Sequence, residues 1–126
     1  MLGNHEAIAT LAVKDLARAR RFYEDLLGLE AEQADEQSMV VSYKTGKTTM
    51  LVYESEFAGT NQATAVNFAV GQQVDYLTKE LAKKGVTFER YDMGGAVHDG
   101  DVHVWGDFRT SWFKDPDGNI LSLVSG

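Results

Sequence analysis

The chain has 126 residues, 44% of them hydrophobic and 25% charged, with 12 glycines, one proline and no cysteine. That composition excludes disorder, a disulfide framework, a thiolate nucleophile and a zinc–sulfur site, while the length suits one domain with a real core. A net charge of −7 opposes nucleic-acid phosphates and favours a cationic partner.

The first thirty residues scatter His, Glu, Lys, Asp and Arg among the apolar positions, so no signal-peptide core is expected. No run approaches the roughly 18 apolar residues a membrane span needs. The expectation is a cytoplasmic, soluble chain with neither a membrane nor a nucleic-acid partner.

In chain order, Ile8 to Val13 predicts a strand. Asp15 follows as an N-cap, and Leu16, Ala19, Phe22, Tyr23, Leu26 and Leu27 then recur at helical spacing up to a stop at Gly28. Ser38 to Tyr43 and Thr48 to Glu54 predict two strands, with Thr45-Gly46-Lys47 as the turn between them. Ala65 to Val70 predicts another strand. Val74, Leu77 and Leu81 mark a second helix, stopping at Gly85. Val86 to Tyr91, Asp101 to Trp105, Thr110 to Lys114 and Asn119 to Val124 complete the set.

The order repeats. Val13 to Gly28 and Val70 to Gly85 each span fifteen positions, and one offset of 57 aligns both strands and both glycines. Strand, helix and further strands occur twice.

Three stretches carry a family resemblance. They are Ala12-Val13-Lys14-Asp15-Leu16 leading to Arg21-Phe22-Tyr23, then Leu26-Leu27-Gly28-Leu29, and finally Phe113-Lys114-Asp115-Pro116-Asp117-Gly118-Asn119-Ile120-Leu121. Together they resemble the vicinal oxygen chelate superfamily of glyoxalases, extradiol dioxygenases, fosfomycin-resistance enzymes and bleomycin-resistance proteins. The resemblance implies an α+β fold of two tandem βαβββ modules, forming a cupped, half-barrel mixed sheet with helices on the convex side. It implies one domain over residues 1–126, with module one at about 5–57 and module two at about 62–126. A homodimer is expected on the same ground. The Asp115-Pro116-Asp117-Gly118-Asn119 segment reads as a chain-reversing turn.

Metal-dependent members of that superfamily take His, Gln or Glu ligands from the first and late strands of each module. The corresponding positions here are Ile8, Ala65 and Ser122, and Met50 to Val52 occupy the centre of the remaining strand. Isoleucine and alanine carry no donor, and a serine hydroxyl replaces a carboxylate poorly. His5 lies three residues before Ile8 and would point to the other face. No metal and no other cofactor is therefore expected. The one alternative grouping is His98, Asp99, Asp101 and His103, in which Asp101 and His103 would share a strand face.

Alternation assigns Ala9, Leu11, Val13, Val66, Phe68, Val70, Leu121 and Leu123 to the helix side. It leaves Thr10, Asn67 and Ser122 facing the cup, joined from neighbouring strands by His103, Trp105 and Trp112, with Tyr53 at the mouth. Those seven residues are the expected ligand contacts. Trp105 and Trp112 suit either a ligand wall or a core. Asn67 needs a partner from a ligand or from nearby backbone. No nucleophile–base arrangement or phosphate loop emerges, and no catalytic residue is assigned.

The expected function is thus metal-free binding of a small aromatic or cationic molecule, as in the bleomycin-resistance branch. A metal-dependent lyase or dioxygenase with nonstandard ligands is the alternative.

Overall fold

The structure, a computed structural model, describes residues 1–35, 39–92 and 94–126. Its strands are β1 (Ala9–Val13), β2 (Glu30–Asp35), β3 (Val40–Thr45), β4 (Thr48–Glu54), β5 (Thr64–Ala69), β6 (Phe88–Glu89), β7 (Val97–Asp99), β8 (Val102–Trp105), β9 (Phe108–Lys114) and β10 (Ile120–Val124). The helices are α1 (Leu16–Arg20), which continues as a wider π turn over Arg21–Leu26, and α2 (Val74–Lys83). The fold is α+β, with two mixed sheets that do not close into a barrel.

The chain divides into two compact units. The first comprises Met1–Asn61 with Pro116–Asn119, and the second Gln62–Asp115 with Ile120–Gly126.

In the first unit the sheet order is β1-β4-β3-β2, with β1 parallel to β4 and the other pairs antiparallel. The alternation expected of β1 holds: Leu11 and Val13 are buried and Thr10 is exposed. Asp15 caps α1 by accepting the Arg18 N–H at 3.2 Å.

The first helix departs from the expected single α-helix ending at Gly28. After Arg20 it widens, and the Leu27 N–H reaches back five residues to the Phe22 carbonyl. Adjacent positions on an ideal helix diverge by about 100°, too far to bury two consecutive large rings equally. The wider turn lets Phe22 and Tyr23 both face the core, edge to face at 5.2 Å. Glu24 also turns inward, where Arg20 at 2.6 Å and the Tyr43 hydroxyl at 2.9 Å donate to its carboxylate. The bond from Arg20, then that from Tyr43, hold the Glu24 carboxyl below its ordinary range against the opposing effect of burial.

The Pro116–Asn119 part of the late turn belongs to this unit. Asp117 accepts from the Lys14 N–H at 3.2 Å and from the Arg18 guanidinium at 2.8 Å, while the Asn119 amide donates to the Ala12 carbonyl at 2.7 Å. The two arginines thus act apart: Arg20 pairs with Glu24 four residues on, and Arg18 ties the late turn to α1.

In the second unit the order is β5-β10-β9-β8-β7, with β6 also pairing with β9; β5 runs parallel to β10. Its core lies between the sheet and α2. Val74, Phe88, Val102, Phe113, Leu121 and Leu123 are buried there. Thr78, in α2, donates to the Val74 carbonyl and shares a hydrogen bond of 2.8 Å with Ser111 of β9.

Two strands were not anticipated. β2 (Glu30–Asp35) is an edge strand of mostly polar sequence, so it gives no hydrophobic alternation. β7 (Val97–Asp99) is three exposed residues paired with β8. The expected strand Val86 to Tyr91 shortens to Phe88–Glu89. Ser38, the expected start of the strand observed as β3, lies outside the described residues.

Candidate functional site

The sheet of the second unit places its chemistry by register. Across β5, β10, β9 and β6, Asn67 lies opposite Ser122, Ser122 opposite Trp112, and Trp112 opposite Glu89. Across β9, β8 and β7, Thr110 lies opposite His103 and His103 opposite His98. Directly paired residues project to the same side of a sheet. Thr110 and Trp112 are two apart on β9, so both rows share one face, opposite the face that covers α2. Five of the seven expected contacts are on it: Asn67, His103, Trp105, Trp112 and Ser122.

His103 sits at the centre of this face and is entirely buried. Its ring lies edge to face with Trp112 at 4.8 Å and with His98 at 4.6 Å, and stacks beside Trp105 at 6.4 Å. Tyr91 adds an edge-to-face contact with Trp112 at 5.3 Å. Tyr91, Trp105 and Trp112 are each only half-buried, so rings remain open to solvent around a sealed imidazole.

The polar edges of these rings are turned to protein partners. Trp105 Nε1 donates to the Gly94 carbonyl at 3.3 Å, and Trp112 Nε1 donates to the Thr64 hydroxyl at 3.1 Å. His98 Nε2 faces the Tyr91 carbonyl at 3.0 Å, so it is the donor there. Ser122 shares a 2.9 Å hydrogen bond with Thr110 and is buried. Ser122 is thus part of the sheet's internal polar pairing rather than a reaching group. The face offers ring surfaces, which suits stacking and cation–π contacts.

The Tyr91 N–H donates to His103 Nε2 at 2.9 Å, which fixes the neutral imidazole with its proton on Nδ1. Among the described residues the Tyr91 hydroxyl is buried with no hydrogen-bond partner. Burial first, then the neighbouring His98, pushes the His103 pKa below that of an ordinary imidazole. Burial, then the Glu89 carboxylate, pushes the Tyr91 phenol up.

The folded state therefore holds a proton on His103 less readily than the unfolded chain does. Its contribution to stability is present above the ordinary imidazole value of about 6.5 and is lost as pH falls from there toward the lowered value. Urea midpoints are expected to drop between pH 7 and pH 5, and a His103→Gln variant, neutral throughout, is expected to show a shallower drop. An unchanged slope in that variant contradicts the assignment.

The other two expected contacts, Thr10 and Tyr53, belong to the first unit. Thr10 pairs with Leu51 and Ala12 with Tyr53 across β1 and β4, so Thr10 and Tyr53 share one face of that sheet. Thr10 is exposed and its hydroxyl donates to the Ile8 carbonyl at 3.3 Å; Tyr53 is exposed at the strand end. An open depression of the first unit is lined by Lys14, Glu54, Ser55 and Glu56, with no aromatic among them.

Tyr91, His98 and Phe108 join the aromatic face without having been expected as contacts. Phe108 had a signal in the sequence: Gly106-Asp107 is a two-residue turn, which sets Trp105 opposite Phe108 with rings 6.2 Å apart. Tyr91 follows the last residue of a two-residue strand by two positions, beyond the reach of alternation.

The grouping of His98, Asp99, Asp101 and His103 comes apart. Asp99 faces the helix side, where it and Asp75 both accept from Arg109, at 2.7 and 2.8 Å. Asp101 lies in the turn between β7 and β8 rather than on the strand face of His103. Both imidazole Nε2 atoms are engaged with the backbone of Tyr91. Among the described residues no three His, Asp or Glu side chains come together as a metal site.

The sequence model of the Glyoxalase/Bleomycin resistance protein/Dioxygenase superfamily matches residues 5–123. The chain belongs to this superfamily. No curated protein matches it. Among solved structures, an integron cassette protein from the mobile metagenome of the Halifax Harbour sewage outfall has a TM-score of 0.72 at 21% identity, covering 97% of this chain and 98% of that one. The fosfomycin resistance protein FosX of Listeria monocytogenes has a TM-score of 0.72 at 19% identity, with coverages of 97% and 93%. Lactoylglutathione lyase of Agrobacterium tumefaciens has a TM-score of 0.71 at 18% identity, with coverages of 95% and 92%. These likenesses establish the shared fold.

A mutant of the Listeria FosX is solved as a complex with Mn(II). The residues of this superfamily member do not fit such an ion at the positions the family resemblance indicates. Ile8 and Ala65 lack donor atoms, and the hydroxyl of Ser122 is already bonded to Thr110.

Proposed function

We propose that this protein is a metal-free small-molecule binding protein of the bleomycin-resistance type, which sequesters an aromatic or cationic ligand without making or breaking a bond. The observation that supports it most is the open aromatic face of the second unit, whose indole N–H groups are tied to protein partners while the ring surfaces of Trp105, Trp112 and Tyr91 stay half exposed. Large rigid rings supply contact area at low entropic cost, and their negative faces attract cations. The net charge of −7 adds a favourable long-range field for such a ligand. Sequestration of a toxic aromatic compound would give a resistance phenotype.

No helix among the described residues is long and apolar enough to cross a membrane. A cytoplasmic location and a homodimeric state complete the proposal, and light scattering tests the second.

Titration of the intrinsic tryptophan fluorescence with planar aromatic compounds tests the binding role. Saturable quenching is expected, and Trp112→Ala is expected to weaken binding about thirtyfold, as truncation of an anchoring Trp does at about 2 kcal/mol. Because Trp112 is half exposed, the same variant is expected to keep most of its stability. Absence of saturable binding by every compound contradicts the proposal, as does unchanged affinity in Trp112→Ala.

A further inference from the structure

Glu89 stands beside Trp112 in the row of paired residues that crosses the aromatic face. Lys114, two residues beyond Trp112 on the same strand, projects to the same side and places its ammonium 3.3 Å from the Glu89 carboxylate. The Tyr91 ring closes on Trp112 from its edge, and the carboxylate is near enough to raise the Tyr91 phenol. One carboxylate thus lies in the row of two adjoining aromatic rings, and the protein's own ammonium is paired with it.

We infer that Glu89 is a charge-selecting subsite of this face, specific for planar aromatic cations, and that Lys114 is its internal occupant, displaced when such a ligand stacks on Trp112. The inference rests on the binding role proposed above and adds the charge class of the ligand. Two physical points support displacement. Lys114 is 47% exposed and Glu89 28% exposed, and a pair so open to water adds little net stability. A delocalised aromatic cation is also more weakly hydrated than an ammonium, so it loses less on leaving water and gains the ring contacts that a lysine tip lacks. The released Lys114 returns to solvent, where its flexible stem keeps it hydrated. A neutral ring of the same shape would stack on Trp112 but leave the Glu89–Lys114 pair in place.

Calorimetric titration with N-methylquinolinium and with quinoline at pH 8 separates the two cases, because the first is a permanent cation and the second is neutral. The cation is expected to bind about tenfold more tightly, in line with a charge-assisted contact. Glu89→Gln is expected to bring the two affinities together by weakening the cation alone, and Lys114→Met to widen the gap by removing the competitor. Equal binding of the two probes, or a preference for the cation that survives Glu89→Gln, overturns the carboxylate subsite while leaving the aromatic binding role standing. Failure of both probes while another planar aromatic compound quenches saturably overturns the subsite alone, and failure of every compound overturns the subsite and the binding role together.

Discussion

Replacing Phe113 with Ala is expected to cost about 3–5 kcal/mol of folding stability, which for a domain of this size lowers Tm by roughly 10–20 °C. Phe113 is 1% exposed, lies edge to face with Phe88 at 5.4 Å, and stands on the side of β9 that covers α2. Its removal leaves a cavity in the core of the second unit. The same sheet predicts the reverse for its neighbour. Trp112 points to the opposite face, so its loss is expected to weaken ligand binding about thirtyfold with a smaller cost in stability. Two adjacent residues with opposite phenotypes are what a sheet with one core face and one binding face requires. Thermal unfolding followed by circular dichroism, run beside the fluorescence titration, reads both. A Phe113→Ala variant that unfolds within a few degrees of the parent contradicts the assigned faces.

The Gly59→Ala substitution is expected to cost about 2–5 kcal/mol, although it adds one methyl group. Gly59 has φ of +77°, a left-handed backbone that costs an L residue about 1–2 kcal/mol. A Cβ there would also run into the carbonyl oxygen of Asp117, and overpacking against a fixed neighbour adds about 1–3 kcal/mol. Asp117 cannot retreat easily, because its buried side chain is held by the Lys14 N–H and by Arg18. Gly3→Ala meets nothing within 4 Å and serves as the matched control. Urea midpoints of the two variants compare them directly, and equal midpoints contradict the close approach of this loop to the turn.

That close approach gives the Asp115–Asn119 turn its meaning. Proline, aspartate, glycine and asparagine in succession read as a chain reversal from local chemistry alone. What local chemistry could not supply was the turn's attachment: Asp117 and Asn119 bond to Lys14, Arg18 and Ala12, about a hundred positions earlier in the chain. The α+β class and the superfamily were legible because β1, the cap of α1 at Asp15 and the glycine stops follow one another in an ordered pattern. The π turn after Arg20 was not legible, since the apolar spacing of Phe22, Tyr23, Leu26 and Leu27 fits an α-helix equally well. The polar edge strand at Glu30–Asp35 carries no alternation and is held by its partner β3.

The site divides in the same way. Alternation along β8 and β9 was enough to place His103, Trp105 and Trp112, because residues two apart share a face whatever the register. The register itself sets Glu89 beside Trp112 and His98 beside His103, and no periodicity within one strand encodes it. The irregular segment after β6 brings the backbone of Tyr91 to both imidazoles, and an irregular segment has no period to read. The same three-dimensional information took Asp99 away from the histidines and gave it to Arg109.

The central claim is that this member of the superfamily binds an aromatic ligand through its own rings and without a metal. Fluorescence titration of chelator-treated protein with N-methylquinolinium, with and without an excess of EDTA or added Mn(II), tests it most directly. Saturable quenching with the same affinity is expected under all three conditions. Binding that appears only when Mn(II) is added, or disappears with EDTA, would contradict it.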